Sequence, residues 1–257
     1  MTNGSGSQRR FEGKVALLTG AASGMGRAIA QRLAAEGAHV HGLDVDADGL
    51  AETAKLVADA GGQMSTRRTD VSSRDECFAA VGECSAELGR IDVLGNIAGI
   101  ARAEHFTDVT EAQYRQMMGV NIDGYFFMAQ AAIPHLLESG GNIVNIASNA
   151  GLMGQAYTVV YCITKGAVVQ FTRALAIEYI KTPLRVNALA PSGVETPLAT
   201  GFQVPPDVDG ELMQRIFGFR PMAQPEEIAA LFAFVASDEA RNIHGAVISS
   251  DSGLTAG

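Results

Sequence analysis

The stretch T-G-A-A-S-G-M-G, Thr19 to Gly26, follows the apolar run "KVALL" and leads into "RAIAQRLAAEG", where apolar residues recur at helical spacing. A strand therefore turns directly into a helix here. Glycines at 20, 24 and 26 let the chain turn tightly and leave no Cβ between the backbone and an anionic ligand. The helix that follows offers unpaired N–H groups and the positive end of its dipole. A glycine trio alone also suits a purely structural turn. Its place, from first strand to first helix, favours dinucleotide binding, with Gly20, Ser23, Gly24, Met25 and Gly26 as the cradle.

The rest of the chain repeats the same alternation. Strands are expected at 13–20, 38–44, 63–71, 91–99, 141–148, 184–192 and 245–253. Helices are expected at 25–37, 46–60, 73–88, 110–138, 155–180 and 225–236, with an irregular Pro-rich segment before the last one. Such a pattern predicts an α/β fold with a mainly parallel sheet, helices on both faces and right-handed crossovers. With 257 residues, 47% hydrophobic, and neither repeat nor long linker, the chain reads as a flexible tail over 1–10 and a single domain over 11–257.

Asp44 ends the second expected strand, about twenty residues beyond the turn. A carboxylate there can accept hydrogen bonds from both adenosine ribose hydroxyls and would repel a 2′-phosphate. Neither Ser23 nor Val45 is basic, and Arg27 lies one helical step inside. NAD is preferred over NADP.

The net charge of −9 argues against a nucleic-acid partner. No apolar run reaches membrane-spanning length, and the first ten residues, MTNGSGSQRR, lack the apolar core of a signal peptide. Cys77, Cys84 and Cys162 are an odd number without ligand spacing, Cys77 and Cys84 sharing a helix face. The histidines at 39, 41, 105, 135 and 244 form no ligand constellation, so no metal is expected. A protein of a reducing compartment, the cytoplasm, fits these features.

In "VVYCITKGAVVQFTRALAIEYI" (159–180), Tyr161 and Lys165 stand four apart and so meet on one helix face. A neighbouring ammonium favours the phenolate of a group that ordinarily titrates near ~10, which makes the pair a source of general acid or base. The bland alternative is a lysine reaching past a helix tyrosine to solvent.

Together these residues resemble the short-chain dehydrogenase/reductase family, in the subtype carrying TGxxxGxG and YxxxK, over roughly residues 11 to 255. The resemblance implies a Rossmann-like doubly wound domain with a seven-stranded sheet, and commonly a homotetramer, with the long helices as candidate subunit interface. It places Asp70 and Val71 beside the adenine. Asn96, Ala98 and Gly99 fall on a turn along the cofactor, and Pro191, Val194 and Thr196 on the segment holding the nicotinamide amide. It assigns Asn121, Ser148, Tyr161 and Lys165 to catalysis. Four motifs depart from the family pattern: Asn96-Ile97-Ala98-Gly99, Pro191-Ser192, Tyr161-Cys162-Ile163-Thr164-Lys165 and Asp251-Ser252-Gly253. None removes a proton-transfer residue; Ser192 affects the nicotinamide loop.

The implied reaction moves a hydride between nicotinamide and a carbon that is alcohol on one side and ketone on the other. Tyr161 would exchange the proton, Ser148 would steady the reacting oxygen, and Lys165 would also hold the nicotinamide ribose. Asn121 would position a water linking Lys165 to solvent; otherwise it is a helix-bend asparagine satisfying backbone groups. Tyr157 has no lysine four residues on, and lines or packs near the site.

Substrate residues are expected after Ser148, at Asn149, Leu152, Met153 and Gln155, and in a lid around 197–220. The lid would contribute Leu198, Phe202, Met213 and Phe217, with 212, 213, 216 and 217 forming one apolar helix face. No lysine or arginine lies between Thr196 and Gln214, so an uncharged, fairly apolar secondary alcohol or ketone is expected. The competing readings are an NADP-dependent ketone or 3-oxoacyl reductase and, more distantly, a non-catalytic dinucleotide sensor.

Overall fold

The computed structural model describes residues 9–216 and 220–256. Seven strands form one sheet: β1 (Val15–Thr19), β2 (His39–Asp44), β3 (Gln63–Arg68), β4 (Val93–Asn96), β5 (Asn142–Ile146), β6 (Arg185–Pro191) and β7 (Val247–Ser250). Their order is β3-β2-β1-β4-β5-β6-β7, and every pairing is parallel. The order reverses between β1 and β4. This leaves a crevice at the carboxyl ends of the strands, where ligands of doubly wound sheets bind.

Alternation along β1 divides the core. Ala16 and Leu18 face one layer, which holds Ile29 and Leu33 of α1 (Gly24–Ala35) and Phe232 of the last long helix (Pro225–Ala236). Val15 and Leu17 face the other layer. There Cys77 and Cys84 of α3 (Arg74–Leu88) pack with Met128 and Leu136. Both cysteines are buried and free, and burial pushes each thiol up to about 12. The helix between these two, α2 (Ala47–Asp59), begins where the Asp46 side chain accepts from Gly49 N–H.

Two helical expectations change on folding. The helix expected over 110–138 runs through as α4 (Glu111–Met118) and α5 (Gly124–Ser139), but Gly119–Asp123 between them is a π-helical turn containing Asn121. A π turn relaxes the usual backbone ladder and commonly marks functional positions. Of the catalytic candidates, Tyr161 and Lys165 ride on α6 (Val159–Glu178), while Ser148 follows β5.

The expected lid helix is cut short. Among the described residues of that segment, only α7 (Pro197–Thr200) and α8 (Gly210–Gln214) form. Met213 is buried while Leu212 is exposed, so a continuous 212/213/216/217 face does not exist as drawn from spacing. Phe217 lies outside the described residues. The last long helix becomes α9. Among the described residues no helix is long and apolar enough to cross a membrane, and no cluster of three or more His, Cys, Asp or Glu could hold a metal.

Candidate active site

Two cavities meet at the carboxyl ends of the strands. One, of about 460 Å³, is lined by Gly20, Ser23, Gly24, Met25, Gly26, Asp44, Asp70, Val71, Ala98 and Gly99. The other, of about 350 Å³, is lined by Ser148, Asn149, Tyr161, Lys165, Pro191 and Val194 among others. Met25, Ile97, Gly99, Thr196 and Leu198 belong to both walls, so a ligand can extend from one into the other.

The first cavity is a cradle of backbone. Gly20 takes φ 69°, and a Cβ there would press on the Ala98 backbone. A Cβ on Gly26 would collide with the Gly20 carbonyl oxygen. The Ser23 side chain makes no capping bond, so the first N–H groups of α1 remain available to an anion. Asp44 is fixed at the rim: its carboxylate accepts from Ala22 N–H at 3.1 Å and Asp46 N–H at 3.1 Å. Arg27, the nearby cation, is committed elsewhere. Its guanidinium donates to Ala22 O and Glu52, both at 2.6 Å, and to Thr53 Oγ1 at 3.1 Å. These features fit a dinucleotide whose ribose hydroxyls meet a carboxylate.

Asn96 departs from its expected place. It lines neither cavity and is fully buried. Its Nδ2 donates to Asn145 Oδ1 at 2.9 Å, and Asn145 Nδ2 donates to Thr172 Oγ1 at 2.9 Å. As the last residue of β4 its side chain points into the sheet layer, where an amide must find partners. It ties β4 through β5 to α6. The side chain that does shape the cofactor turn is Thr19, whose Oγ1 accepts from Ile97 N–H at 2.9 Å and Ala98 N–H at 3.1 Å. Thr19 stands first in the glycine stretch, so only the partner turn was illegible.

At the second cavity, helical spacing and burial assemble the polar groups. Lys165 is only 3% exposed. Its Nζ donates to Ile146 O at 2.8 Å and to Tyr125 Oη at 3.4 Å, and lies 5.8 Å from the centre of the Tyr161 ring. Burial alone pulls the ammonium down to about 7. The half-buried Tyr161 phenol is pushed above its ordinary value by burial, against which a hydrogen bond with Ser148 works. Ser148 Oγ donates to Asn149 Oδ1 at 3.0 Å and accepts from Ala150 N–H at 3.1 Å. The phenol therefore starts protonated, beside an amine that titrates near neutrality.

Asn121 is fully buried, with both amide protons committed: Nδ2 donates to Ile100 O at 2.9 Å and Thr164 Oγ1 at 3.1 Å. Its Oδ1 accepts from Ile100 N–H at 2.9 Å. Both amide protons are thus spent on neighbouring groups, as in a helix-bend asparagine. Thr164 in turn donates to Tyr161 O at 2.8 Å, so Asn121 positions the loop after Gly99 and the turn of α6 that carries Tyr161. Tyr125 was not foreseen; it lies one helical turn after Asn121, the spacing that would have found it.

Of the expected substrate residues, Asn149, Gln155, Leu198 and Phe202 line the second cavity, whereas Leu152, Met153 and Met213 do not. Leu152 follows a short 3₁₀ turn and is exposed, and Met213 packs into the short α8. Ile216 and Met222 complete the apolar wall, and Arg220, beyond the cation-free stretch from Thr196 to Gln214, also lines it. Asp251 also lines it, but its carboxylate is occupied by Gly253 N–H and Thr255 N–H, both at 3.1 Å.

A protein-family profile described as enoyl-(acyl carrier protein) reductase matches residues 20–255. A meso-2,3-butanediol dehydrogenase of Serratia marcescens is 41% identical over 249 residues, covering 96% of this chain and 96% of that protein. The chain belongs to the short-chain dehydrogenase/reductase family.

Another member of the family, the D-threitol dehydrogenase of Mycolicibacterium smegmatis, is 38% identical, covering 96% of this chain and 94% of that one. Among solved structures, a short-chain dehydrogenase from Mycobacterium paratuberculosis bound to NAD superposes with a TM-score of 0.90 at 34% identity, covering 96% of this chain and all of that one. A seven-stranded parallel sheet and paired cavities are therefore the frame in which this short-chain dehydrogenase/reductase holds its polar groups.

Proposed function

We propose that the protein is an NAD-dependent oxidoreductase that interconverts an uncharged, fairly apolar secondary alcohol and its ketone. The observation that carries this reading is the position of Tyr161, Lys165 and Ser148 in the wall of a largely apolar cavity that adjoins the glycine cradle. Bound NAD⁺ would accept the hydride from the alcohol carbon. Ser148 hydroxyl would turn towards the reacting oxygen and steady its charge. The Tyr161 phenol oxygen would take or give the proton, and Lys165, once charged, would favour its phenolate form. Asn121 would hold this constellation in register through Thr164. Pro191, Val194 and Thr196 would contain the nicotinamide end; Ser23, Met25, Asp70 and Val71 would contain the adenosine and phosphates.

The fixed carboxylate of Asp44 and the commitment of Arg27 support NAD over NADP. Relatives acting, by name, on butanediol and threitol support a secondary alcohol. The test is a fluorescence titration with NADH and NADPH, followed by turnover of 2-butanol, cyclohexanol and 2,3-butanediol with NAD⁺. NADH binding at least about tenfold tighter is expected, since a charged hydrogen bond contributes about 1.5–3 kcal/mol. Replacing Asp44 by Ser should erase that preference. Tighter NADPH binding by the unaltered protein would overturn the assignment.

We further propose a cytoplasmic homotetramer. Free, buried Cys77 and Cys84 suit a reducing compartment. Phe126 on α5 and Val159, Ile163 and Ile177 on α6 are apolar side chains exposed on the surface, as a subunit interface would require. Light scattering would give four times the chain mass; a monomer would sink this part of the reading.

A further inference from the structure

Two side chains outside the reacting group hold the far end of the lid. The Tyr157 hydroxyl oxygen accepts from Asp209 N–H at 2.8 Å, and Asp209 is the residue that caps α8. His105 Nε2 lies 3.3 Å from the Pro206 carbonyl oxygen, to which its N–H donates. The two rings meet edge to face, with centroids 5.3 Å apart. Tyr157 is itself pinned from behind, since its carbonyl accepts from Glu104 N–H at 2.7 Å.

Its backbone adopts φ 61°, in the left-handed region. A tyrosine stays in that conformation only where its surroundings impose it, and such residues cluster at ligand clamps and active sites. Here the imposed conformation directs the hydroxyl to the lid from a position four residues before Tyr161.

The lid has little else to hold it. Among the described residues, the other hydrogen bonds made by 197–216 are local, winding α7 and α8 onto their own caps. Met213 of α8 is buried, but Leu198, Val204 and Leu212 are each about two-fifths exposed, so apolar burial contributes only part of what it could. Yet Leu198, Phe202, Val204 and Ile216 wall the substrate cavity.

We propose that Tyr157, with His105, is a latch that holds the 197–216 segment over the substrate cavity and so sets the affinity for the alcohol. The inference rests on the reading of that cavity as the substrate site. Tyr157 is a positioning residue: it acts on substrate through the lid. It also stands one residue before Thr158, the cap of α6, so the lid is joined to the start of the helix that carries Tyr161 and Lys165.

Tyr157→Phe removes only the hydroxyl. With NAD⁺ and either 2-butanol or cyclohexanol, KM should rise by about 2- to 12-fold, the span expected for one lost hydrogen bond. The change should fall on KM rather than kcat. Limited proteolysis of the ligand-free protein should cut within 197–216 faster by a similar factor. Tyr157→Gly gives a second reading, because glycine adopts this backbone without strain. It should raise KM at least as much while the thermal midpoint stays within a few degrees of the unaltered protein. A merely structural tyrosine would do the reverse, lowering the midpoint and leaving KM alone. Unaltered KM and unaltered cleavage in Tyr157→Phe would overturn the latch. Cleavage reads the lid without turnover, so failure of both alcohols as substrates would count against the proposed activity while the latch is still decided.

Discussion

An added methyl at Gly26 would collide with the Gly20 carbonyl, whereas at Gly210, the start of α8, it would meet nothing within 4 Å. The cradle and the lid face the same pair of cavities, yet one is packed to the backbone and the other is held at a few points. In the cradle, Thr19 ties two turns together, Asp44 is bonded twice and Arg27 four times. In the lid, two short helices carry half-exposed apolar side chains and rest on Tyr157 and His105. A ligand with fixed shape can be met by a surface formed in advance, because preorganisation saves the entropy of ordering it. A chamber that must admit and release a substrate needs a wall of low local stability. Between the two lie Tyr161 and Lys165, on a helix tied to both sides.

The sharpest way to separate the regions is Tyr161→Phe. Loss of its proton-transfer group should lower kcat by about 10²- to 10⁴-fold, while the NADH dissociation constant from fluorescence titration changes little. A parallel loss of NADH binding would mean that the cradle and the chemistry are not separable.

Gly26→Ala should destabilise the fold by about 1–3 kcal/mol in urea unfolding and weaken NADH binding, since a backbone carbonyl cannot move aside as a side chain can. The contrasting change in the lid, Gly210→Ala, should stay within about 0.5 kcal/mol. Equal effects would break the comparison.

A smaller effect concerns Lys165. Its folded-state value of about 7 lies below the ~10.4 expected in the unfolded chain. Between those values the unfolded chain binds a proton that the folded, ligand-free protein does not. Stability from this group is therefore full above about pH 10.4, falls as pH drops, and reaches its floor below about 7. Urea unfolding of Lys165→Met should lack up to about 1.4 kcal/mol per pH unit of upward slope between pH 7.5 and 9.5. Comparison with the unaltered protein isolates the lysine from Cys77 and Cys84, whose raised values push the slope the other way. Identical slopes would mean that the amine is charged in the folded state.

The strand–helix alternation and the glycine stretch were legible because they are local: period-two and period-3.6 patterns report the face a residue must bury. Cavity lining by Gly20, Gly24, Gly26 and Asp44 follows from chain order alone, since the first turn and the end of the second strand must meet in a doubly wound sheet. The pair Tyr161 and Lys165 follows from helical spacing. Residues whose neighbours come from distant elements were harder to read. Asn96 was assigned to the cofactor turn but turns inward to Asn145, 49 residues away. The side-chain partners of Asn121, Ile100 and Thr164, stand 21 and 43 residues from it along the chain. The lid suffered most, because an apolar face at helical spacing exists only if the helix continues, and α8 stops after five residues.

Fold class, cradle and reactive pair are each written in spacing along one stretch of chain or in the order of such stretches. The lowered proton affinity of Lys165, the tether of Asn121 and the hold of Tyr157 on Asp209 come into being only when the chain folds. Each depends on desolvation or on a hydrogen-bond partner brought from far along the chain. Local periodicity carries no record of either.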